Sequence, residues 1–202
     1  MRNEGASPSS AFEDPLEAVR AFWDTQACGE VYGGGDLLPL PEQLEAQANA
    51  RFSLEPYLEP FARFWDGRDQ DVLEIGVGMG ADHLRWAQQD PKRLVGIDLT
   101  PRAIRFTGSR LRQHGLNPEL LIGNAELLPF ADNTFDIVYS WGVLHHTPNT
   151  EKAIGEVYRV LRPGGEARVM IYHRPSVVGM MLWARYGLLA GHPRRTLKEI
   201  YA

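Results

Sequence analysis

The sequence has a single cysteine, Cys28, so no disulfide can form within the chain. It also lacks a surplus of basic residues, because 21 lysines and arginines stand against 26 aspartates and glutamates, for a net charge of −5. Nucleic-acid-binding proteins normally present a basic face. We therefore expect no nucleic-acid partner and a small-molecule substrate, and the lone thiol fits a reducing compartment.

Long apolar runs are missing as well. Residues 1–10 carry no apolar core of the kind that a signal peptide needs. The longest apolar stretch, residues 177–190, is too short to span a bilayer and is interrupted by Arg185. These absences predict no stable membrane association and a cytoplasmic location. The 202 residues, 44% hydrophobic and 23% charged, suffice for one α/β domain with a buried core.

The sequence does contain a regular alternation of short apolar segments and amphipathic helices from residue 71 onward. Strands are predicted at residues 71–75, 93–97, 120–122, 135–139 and 167–172. Between them we expect a helix over 80–89, a helix that Thr100 caps and Gly115 ends, and a helix that Pro163-Gly164-Gly165 ends. The pattern predicts an α/β fold with a doubly wound, mostly parallel sheet.

The residues before this alternation predict a helical cap. After a loose tail over residues 1–13, Asp14 is placed to cap a helix that begins at Pro15 and carries Trp23 on its apolar face. A second helical region covers about 42–65, with interruptions at Pro56 and Pro60. We divide the chain into a cap over residues 1–65, a core over 66–175, and an apolar helix with a basic tail over 176–202.

A glycine-rich segment joins the first predicted strand to the next helix. Gly76, Gly78 and Gly80 let the backbone turn sharply and approach a ligand without an intervening Cβ atom. Asp98 ends the second strand, where its carboxylate can accept hydrogen bonds from both hydroxyls of a ribose; alternatively it caps the helix that starts at Thr100. Together these features favour a ligand that contains a nucleoside.

Gly76, Gly78 and Ala81 have the spacing of the dinucleotide fingerprint, so an NAD(P)-dependent oxidoreductase is an alternative. Against that alternative, the sequence has no Tyr-x-x-x-Lys pair; Tyr158 with Arg162 has the nearest spacing. A catalytically inactive scaffold that binds a cofactor is the other alternative.

Five segments in order resemble the class I, Rossmann-like S-adenosylmethionine-dependent methyltransferases of the small-molecule group. They are residues 72–80 (VLEIGVGMG), 95–98 (VGID), 124–130 (NAELLPF), 135–140 (FDIVYS) and 161–165 (LRPGG). The resemblance implies S-adenosyl-L-methionine as cofactor and S-adenosyl-L-homocysteine as product. It implies transfer of a methyl group to a small organic acceptor by in-line displacement at the sulfonium methyl.

The resemblance also implies residue roles. The three glycines would pass close to the methionine part and the ribose, with Glu74 organising their loop, and Asp98 would bind the ribose hydroxyls. Leu99 would flank the adenine. Its edge would be read by Asn124, where the family often has Asp, and by the Ala125 amide, beside Glu126. Ser140 would lie near the methionine end.

Three further features after the fourth strand are interpreted from their chemistry. Trp141 can offer a cation–π face to a sulfonium or can pack in the core. His145 or His146 can act as general base on the acceptor, or both can make structural hydrogen bonds. Adjacent histidines lack the spacing that places two ligands on one metal, so no metal site is predicted. The aromatic residues of the cap can form a lid over the site or pack in the cap itself; they are Phe22, Trp23, Tyr32 and Tyr57.

The family fold has two more strands after the fifth, and residues 172–202 predict neither of them. The fifth strand would then be an uncovered sheet edge, which proteins usually avoid. Three explanations stay open: a fragment of a longer product, a partner chain such as a second copy in a homodimer, or a short variant. We favour the fragment, in which a missing C-terminal segment covers the edge.

Overall fold

The computed structural model describes residues 14–25, 30–33, 40–117, 119–172, 180–181 and 183–193. Several predictions therefore lie outside the described residues, namely those for the tail 1–13, Cys28, residues 177–179 and 182 of the apolar stretch, and the basic tail from Arg194.

Among the described residues, three α-helices precede the sheet. They are α1 (Pro15–Thr25), α2 (Leu40–Leu54) and α3 (Leu58–Ala62). The predicted cap of α1 is confirmed, because the Leu16 amide donates to Asp14 Oδ1 over 2.9 Å. The interruption at Pro56 is also confirmed, whereas Pro60 lies inside α3. It is tolerated there because the first turn of a helix does not need its amide donors.

The sheet has five strands, all parallel. They are β1 (Asp71–Ile75), β2 (Arg93–Asp98), β3 (Glu119–Ile122), β4 (Phe135–Trp141) and β5 (Leu161–Met170). Their order is β3-β2-β1-β4-β5. The connecting helices are α4 (Ala81–Ala87), α5 (Pro101–Gln113) and α6 (Thr150–Val160). The strand order reverses between β1 and β4, and ligands of such sheets bind at the carboxyl ends of the strands beside this point.

The core lies on both faces of the central strand. All five residues of β1 are buried, as expected for a parallel strand covered by helices on both sides. Leu73 and Ile75 pack in one cluster with residues of α6, and Val72 packs in the opposite cluster with Trp86 and Tyr139. This alternation fixes which side chains of β1 point towards which layer.

The end of α6 and the start of β5 differ from the prediction. The helix ends at Val160, and Pro163-Gly164-Gly165 lies inside β5 instead of ending the helix. The pairing of β4 with β5 jumps between Phe135 and Ile137, so the extra residues are accommodated as an irregularity of the strand.

The contacts divide the chain into two compact units, Met1–Met170 and Ile171–Ala202. In the second unit the described residues include a π-helical turn over Ala184–Leu188, and Gly187 in it is buried. Within the described ranges, no strand follows Met170, and no helix is both long and apolar enough to span a membrane.

Candidate functional site

A cavity opens at the carboxyl ends of β1, β2 and β4. Its lining includes nine of the predicted cofactor-binding residues, which are Glu74, Gly76, Gly78, Gly80, Asp98, Leu99, Asn124, Ala125 and Trp141. Most of the predicted cofactor-binding residues therefore line one cavity, and their contact with a cofactor stays a prediction.

The glycine loop, residues 76–80, forms the floor of this cavity. Gly76, Gly78 and Gly80 all have positive φ values, of 83°, 52° and 77°. A Cβ atom on Gly76 would lie 2.2 Å from Cγ2 of Val143, whereas one on Gly78 would meet nothing within 4 Å. Gly76 is thus required by both conformation and packing, and Gly78 by conformation alone.

Asp98 is held in place at the edge of the glycine loop. Its Oδ2 accepts from the Gly78 amide over 3.1 Å, and its Oδ1 accepts from the Thr100 amide and hydroxyl, each over 2.9 Å. Burial raises the pKa of this carboxyl although these donors oppose the rise. Thr100 is the N-cap residue of α5, and Asp98 supports it through these two bonds. Asp98 also lines the cavity, and its binding of ribose hydroxyls stays a prediction.

Asn124 closes the end of the cavity beyond Asp98. Its Oδ1 accepts from the Glu126 amide over 2.9 Å, which orients the side-chain amide beside Leu99 and Ala125. An amide oxygen has a second lone pair, so an adenine amine can still donate to it.

Three of the predicted site residues do not line the cavity. Ser140 is fully buried and donates to the Ile75 carbonyl over 3.0 Å, because it faces the side of β4 opposite to Trp141. The Glu126 carboxylate accepts from the Asn149 amide over 2.6 Å, at the start of α6. His145 lies beside His146 with ring centroids 4.0 Å apart, but only His146 reaches the lining.

The opposite end of the cavity carries a charged network that the sequence analysis missed. Arg51 of α2 bonds both oxygens of Asp82, Nε to Oδ1 and Nη2 to Oδ2, each over 2.6 Å. The Tyr139 hydroxyl donates to Asp82 Oδ2 over 2.7 Å. Burial lowers the pKa of Arg51, but Asp82 more than offsets it, so the pKa is raised and Arg51 stays charged. Arg51, Asp82 and the neighbouring Glu74 all line the cavity.

Helix α1 forms a roof over the cavity. Leu16, Val19 and Trp23 occupy positions i, i+3 and i+7 of α1 and line the cavity, which fits the lid prediction for Trp23. No residue of α1 is buried, and Phe22 is 67% exposed, so the alternative of a packed helical core does not describe this helix. Tyr32 and Tyr57 are also exposed and lie outside the lining.

Two contacts attach α1 and the following segment to α5. The Arg102 amide donates to Asp24 Oδ1 over 3.1 Å, and the Arg102 guanidinium binds the carboxylate of Glu30. Arg102 is two residues beyond Thr100, in the first turn of α5, so the roof is attached close in the chain to Asp98.

Trp141 and His146 complete the wall beneath the roof. Trp141 lines the cavity and packs against Phe61 with ring centroids 5.3 Å apart, so it serves both the cavity and the core. His146 contacts the Trp23 ring at 5.1 Å, and burial lowers its pKa. Burial also lowers the pKa of His145 to about 4, with a further contribution from His146 when that ring is protonated. Both rings are therefore neutral near pH 7.

Within the residues that the structure describes, no group of three or more His, Cys, Asp or Glu side chains is arranged to hold a metal ion.

Comparison with known proteins identifies the domain. Residues 73–169 match the family described as a methyltransferase domain. The ubiquinone/menaquinone biosynthesis C-methyltransferase UbiE of Enterobacter sp. (strain 638) is 36% identical over 115 residues, 54% of this chain and 45% of that protein. Erythromycin 3''-O-methyltransferase of Saccharopolyspora erythraea is 38% identical over 99 residues, 47% of this chain and 32% of that protein.

A solved structure agrees with these relatives. The YcgJ protein of Bacillus subtilis superimposes with a TM-score of 0.52 at 30% identity, over 56% of this chain and 49% of that one. The chain spans less than half the length of the two curated relatives. In its sequence match, its five-stranded parallel sheet and its glycine loop, the domain at residues 73–169 resembles the class I, Rossmann-like S-adenosylmethionine-dependent methyltransferases.

Proposed function

We propose that this chain binds S-adenosyl-L-methionine in the cavity and transfers its methyl group to a small organic acceptor. One observation carries the proposal: a single cavity is lined by Asn124, Asp98, the glycine loop, Glu74 and Arg51. Asn124 suits an adenine and Asp98 suits a ribose. The glycine loop allows the ligand to approach the backbone closely, and Glu74 and Arg51 suit the amino acid end of the donor.

The charges of the cavity fit this ligand better than a dinucleotide. Glu74, Asp82 and Asp98 place three carboxyl groups around the glycine loop, and Arg51 is bound to one of them. A pyrophosphate bound there would face this acidic surface with one cation already engaged. A ligand with an ammonium and a sulfonium group would instead be attracted to it, and the amino acid carboxylate can accept a hydrogen bond from Arg51.

The chemistry that S-adenosylmethionine supplies when bound is an activated methyl group on a positively charged sulfur. The protein's own contribution is positioning, which can be worth roughly 7–11 kcal/mol of the barrier. Leu16, Val19, Trp23 and Trp141 keep water away from the acceptor side of the cavity. Among the lining groups, His146 offers a neutral imidazole that can take a proton from an oxygen, nitrogen or sulfur acceptor.

The test measures S-adenosylhomocysteine formation with hydroxyl, amine, thiol and activated-carbon acceptors, in the wild type and in two variants. We expect product with one acceptor class, and a loss of roughly 10²- to 10⁴-fold in kcat for His146→Gln if the acceptor must be deprotonated. His145→Gln is the matched control, since its ring is adjacent but outside the lining, and should lose much less.

Two outcomes would contradict the proposal. Binding of the donor without turnover on any acceptor would favour an inactive scaffold. Binding of NAD in place of the donor would favour an oxidoreductase.

A further inference from the structure

A histidine lies directly behind Glu74 without lining the cavity. His83 of α4 is fully buried, and its Nδ1 is 2.9 Å from Glu74 Oε2. Its ring is tightly packed, because a Cβ atom on Gly96 of β2 would lie 2.8 Å from His83 Cε1. Glu74 itself is 2% exposed and lines the cavity. His83 can therefore act on a ligand only through Glu74.

The proton of the His83 ring can be assigned. Burial lowers the pKa of His83 to about 3, so the ring is neutral and carries one proton. His83 Nε2 is buried and has no hydrogen-bond partner among the described residues. A proton on Nε2 would be a buried donor without an acceptor, which costs more than a bare lone pair there. The proton therefore belongs on Nδ1, which donates it to Glu74.

We propose that His83 is a positioning residue for cofactor binding, which donates from Nδ1 to Glu74 and holds its carboxylate, ionised, towards the ammonium group of S-adenosylmethionine. This inference rests on the proposed function. Among the described residues, no other side chain hydrogen-bonds to the Glu74 carboxylate, so the orientation of Glu74 depends on this contact.

The charges around Glu74 make its ionisation depend on a ligand. Burial raises the pKa of Glu74, and the carboxylates of Asp82 on α4 and Asp98 on β2 raise it further, whereas Arg51 on α2 lowers it. The nearby Tyr139 is neutral, because burial and Asp82 raise its pKa. A bound ammonium group therefore favours loss of the Glu74 proton, which passes to the buffer.

Removing the Nδ1 donor should strengthen this coupling between binding and ionisation. A hydrogen bond to a carboxylate lowers its pKa, so without it Glu74 stays protonated to higher pH. S-adenosylmethionine would then bind more weakly at neutral pH, and its binding would release a larger fraction of the Glu74 proton.

The experiment is calorimetric titration of the full chain with S-adenosylmethionine, in buffers of different ionisation enthalpy, from about pH 6 to about pH 9. His83→Leu removes the Nδ1 hydrogen-bond donor, whereas His83→Asn keeps an N–H group near the position of Nδ1. For His83→Leu we expect S-adenosylmethionine to bind about ten- to a hundredfold more weakly at neutral pH. The midpoint of the dependence of affinity on pH should lie at higher pH than in the wild type. His83→Asn should recover most of the affinity and the wild-type midpoint.

Two controls separate positioning from packing. Trp86→Phe alters the same buried face of α4 outside the cavity, so it should lower the melting temperature without moving the pH midpoint. Glu74→Gln should abolish the proton release that accompanies binding, and this readout remains if His83→Leu fails to fold.

The outcomes distinguish the inference from the proposed function. If the wild type does not bind S-adenosylmethionine at any pH, the proposed function fails. If it binds but His83→Leu keeps the wild-type pH midpoint, or Glu74→Gln still releases the proton, His83 is only a packing residue.

Discussion

Replacing Asp82 by Asn tests the charged network at the end of the cavity. Asp82 is 5% exposed and holds Arg51 by two bonds and Tyr139 by one. The variant keeps the shape of the side chain but leaves Arg51, which is one-fifth exposed, without its buried counter-charge.

The expected cost follows from these contacts. Removing one partner of a buried ion pair costs about 3–5 kcal/mol. Arg51 retains Glu55 at 3.0 Å and some solvent, so we expect the low end, about 3 kcal/mol in the free energy of unfolding. That corresponds to a melting temperature lower by about 6–12 °C for a chain of this length. Tyr139→Phe leaves the ion pair intact and removes one bond to Asp82, so it should cost about half as much.

The assay is urea unfolding followed by circular dichroism, with the midpoint and the slope compared among the three proteins. Wild-type stability in Asp82→Asn, or a loss no larger than in Tyr139→Phe, would refute the assignment of a buried ion pair here.

Three further predictions concern the loop, the roof and the histidines. Gly76→Ala should destabilise the fold and weaken donor binding more than Gly78→Ala, because only the first Cβ meets Val143; equal losses by thermal shift and titration would contradict this. Arg102→Gln should speed proteolysis within residues 14–33, because it loosens the contact with Glu30, and an unchanged cleavage rate would show that α1 is held elsewhere. The pKa of His145 lies near 4 in the fold and 6.5 outside it, so the unfolded chain binds the extra proton between these values. Stability should therefore fall as the pH drops from about 6.5 to about 4 and fall less in His145→Gln; parallel curves would contradict this.

The fold was largely predictable from the sequence, because hydrophobic periodicity and helix capping each depend on residues that are close together in the chain. The alternation of strands and helices gave all five strands of the sheet, and Asp14 and Thr100 cap the helices as expected. The glycine loop and Asp98 were found for the same reason, since the chain carries them at fixed places after β1 and β2.

The missed features depend on contacts between distant parts of the chain. Arg51 and Asp82 are 31 residues apart, and Tyr139 is 57 residues from Asp82, so no local pattern joins them. The family resemblance placed Ser140 near the methionine end, but Ser140 lies within β4, where strand alternation turns it to the opposite face from Trp141. Glu126 was included with its loop, whereas its carboxylate is engaged at the start of α6.

Some predictions stay open. The domain boundaries, a cytoplasmic location and a homodimer remain predictions. The described strands end at Met170, with β5 at one edge of the sheet. Covering that edge by a second copy of the chain or by another segment is likewise a prediction.

The most direct test of the central claim is a titration of the wild type and Asp98→Asn with S-adenosylmethionine and with NAD. We expect the wild type to bind S-adenosylmethionine and not NAD. Asp98→Asn should weaken binding about ten- to a hundredfold, because the ribose loses a charged acceptor. Tight binding of NAD, with no response to S-adenosylmethionine, would contradict the account.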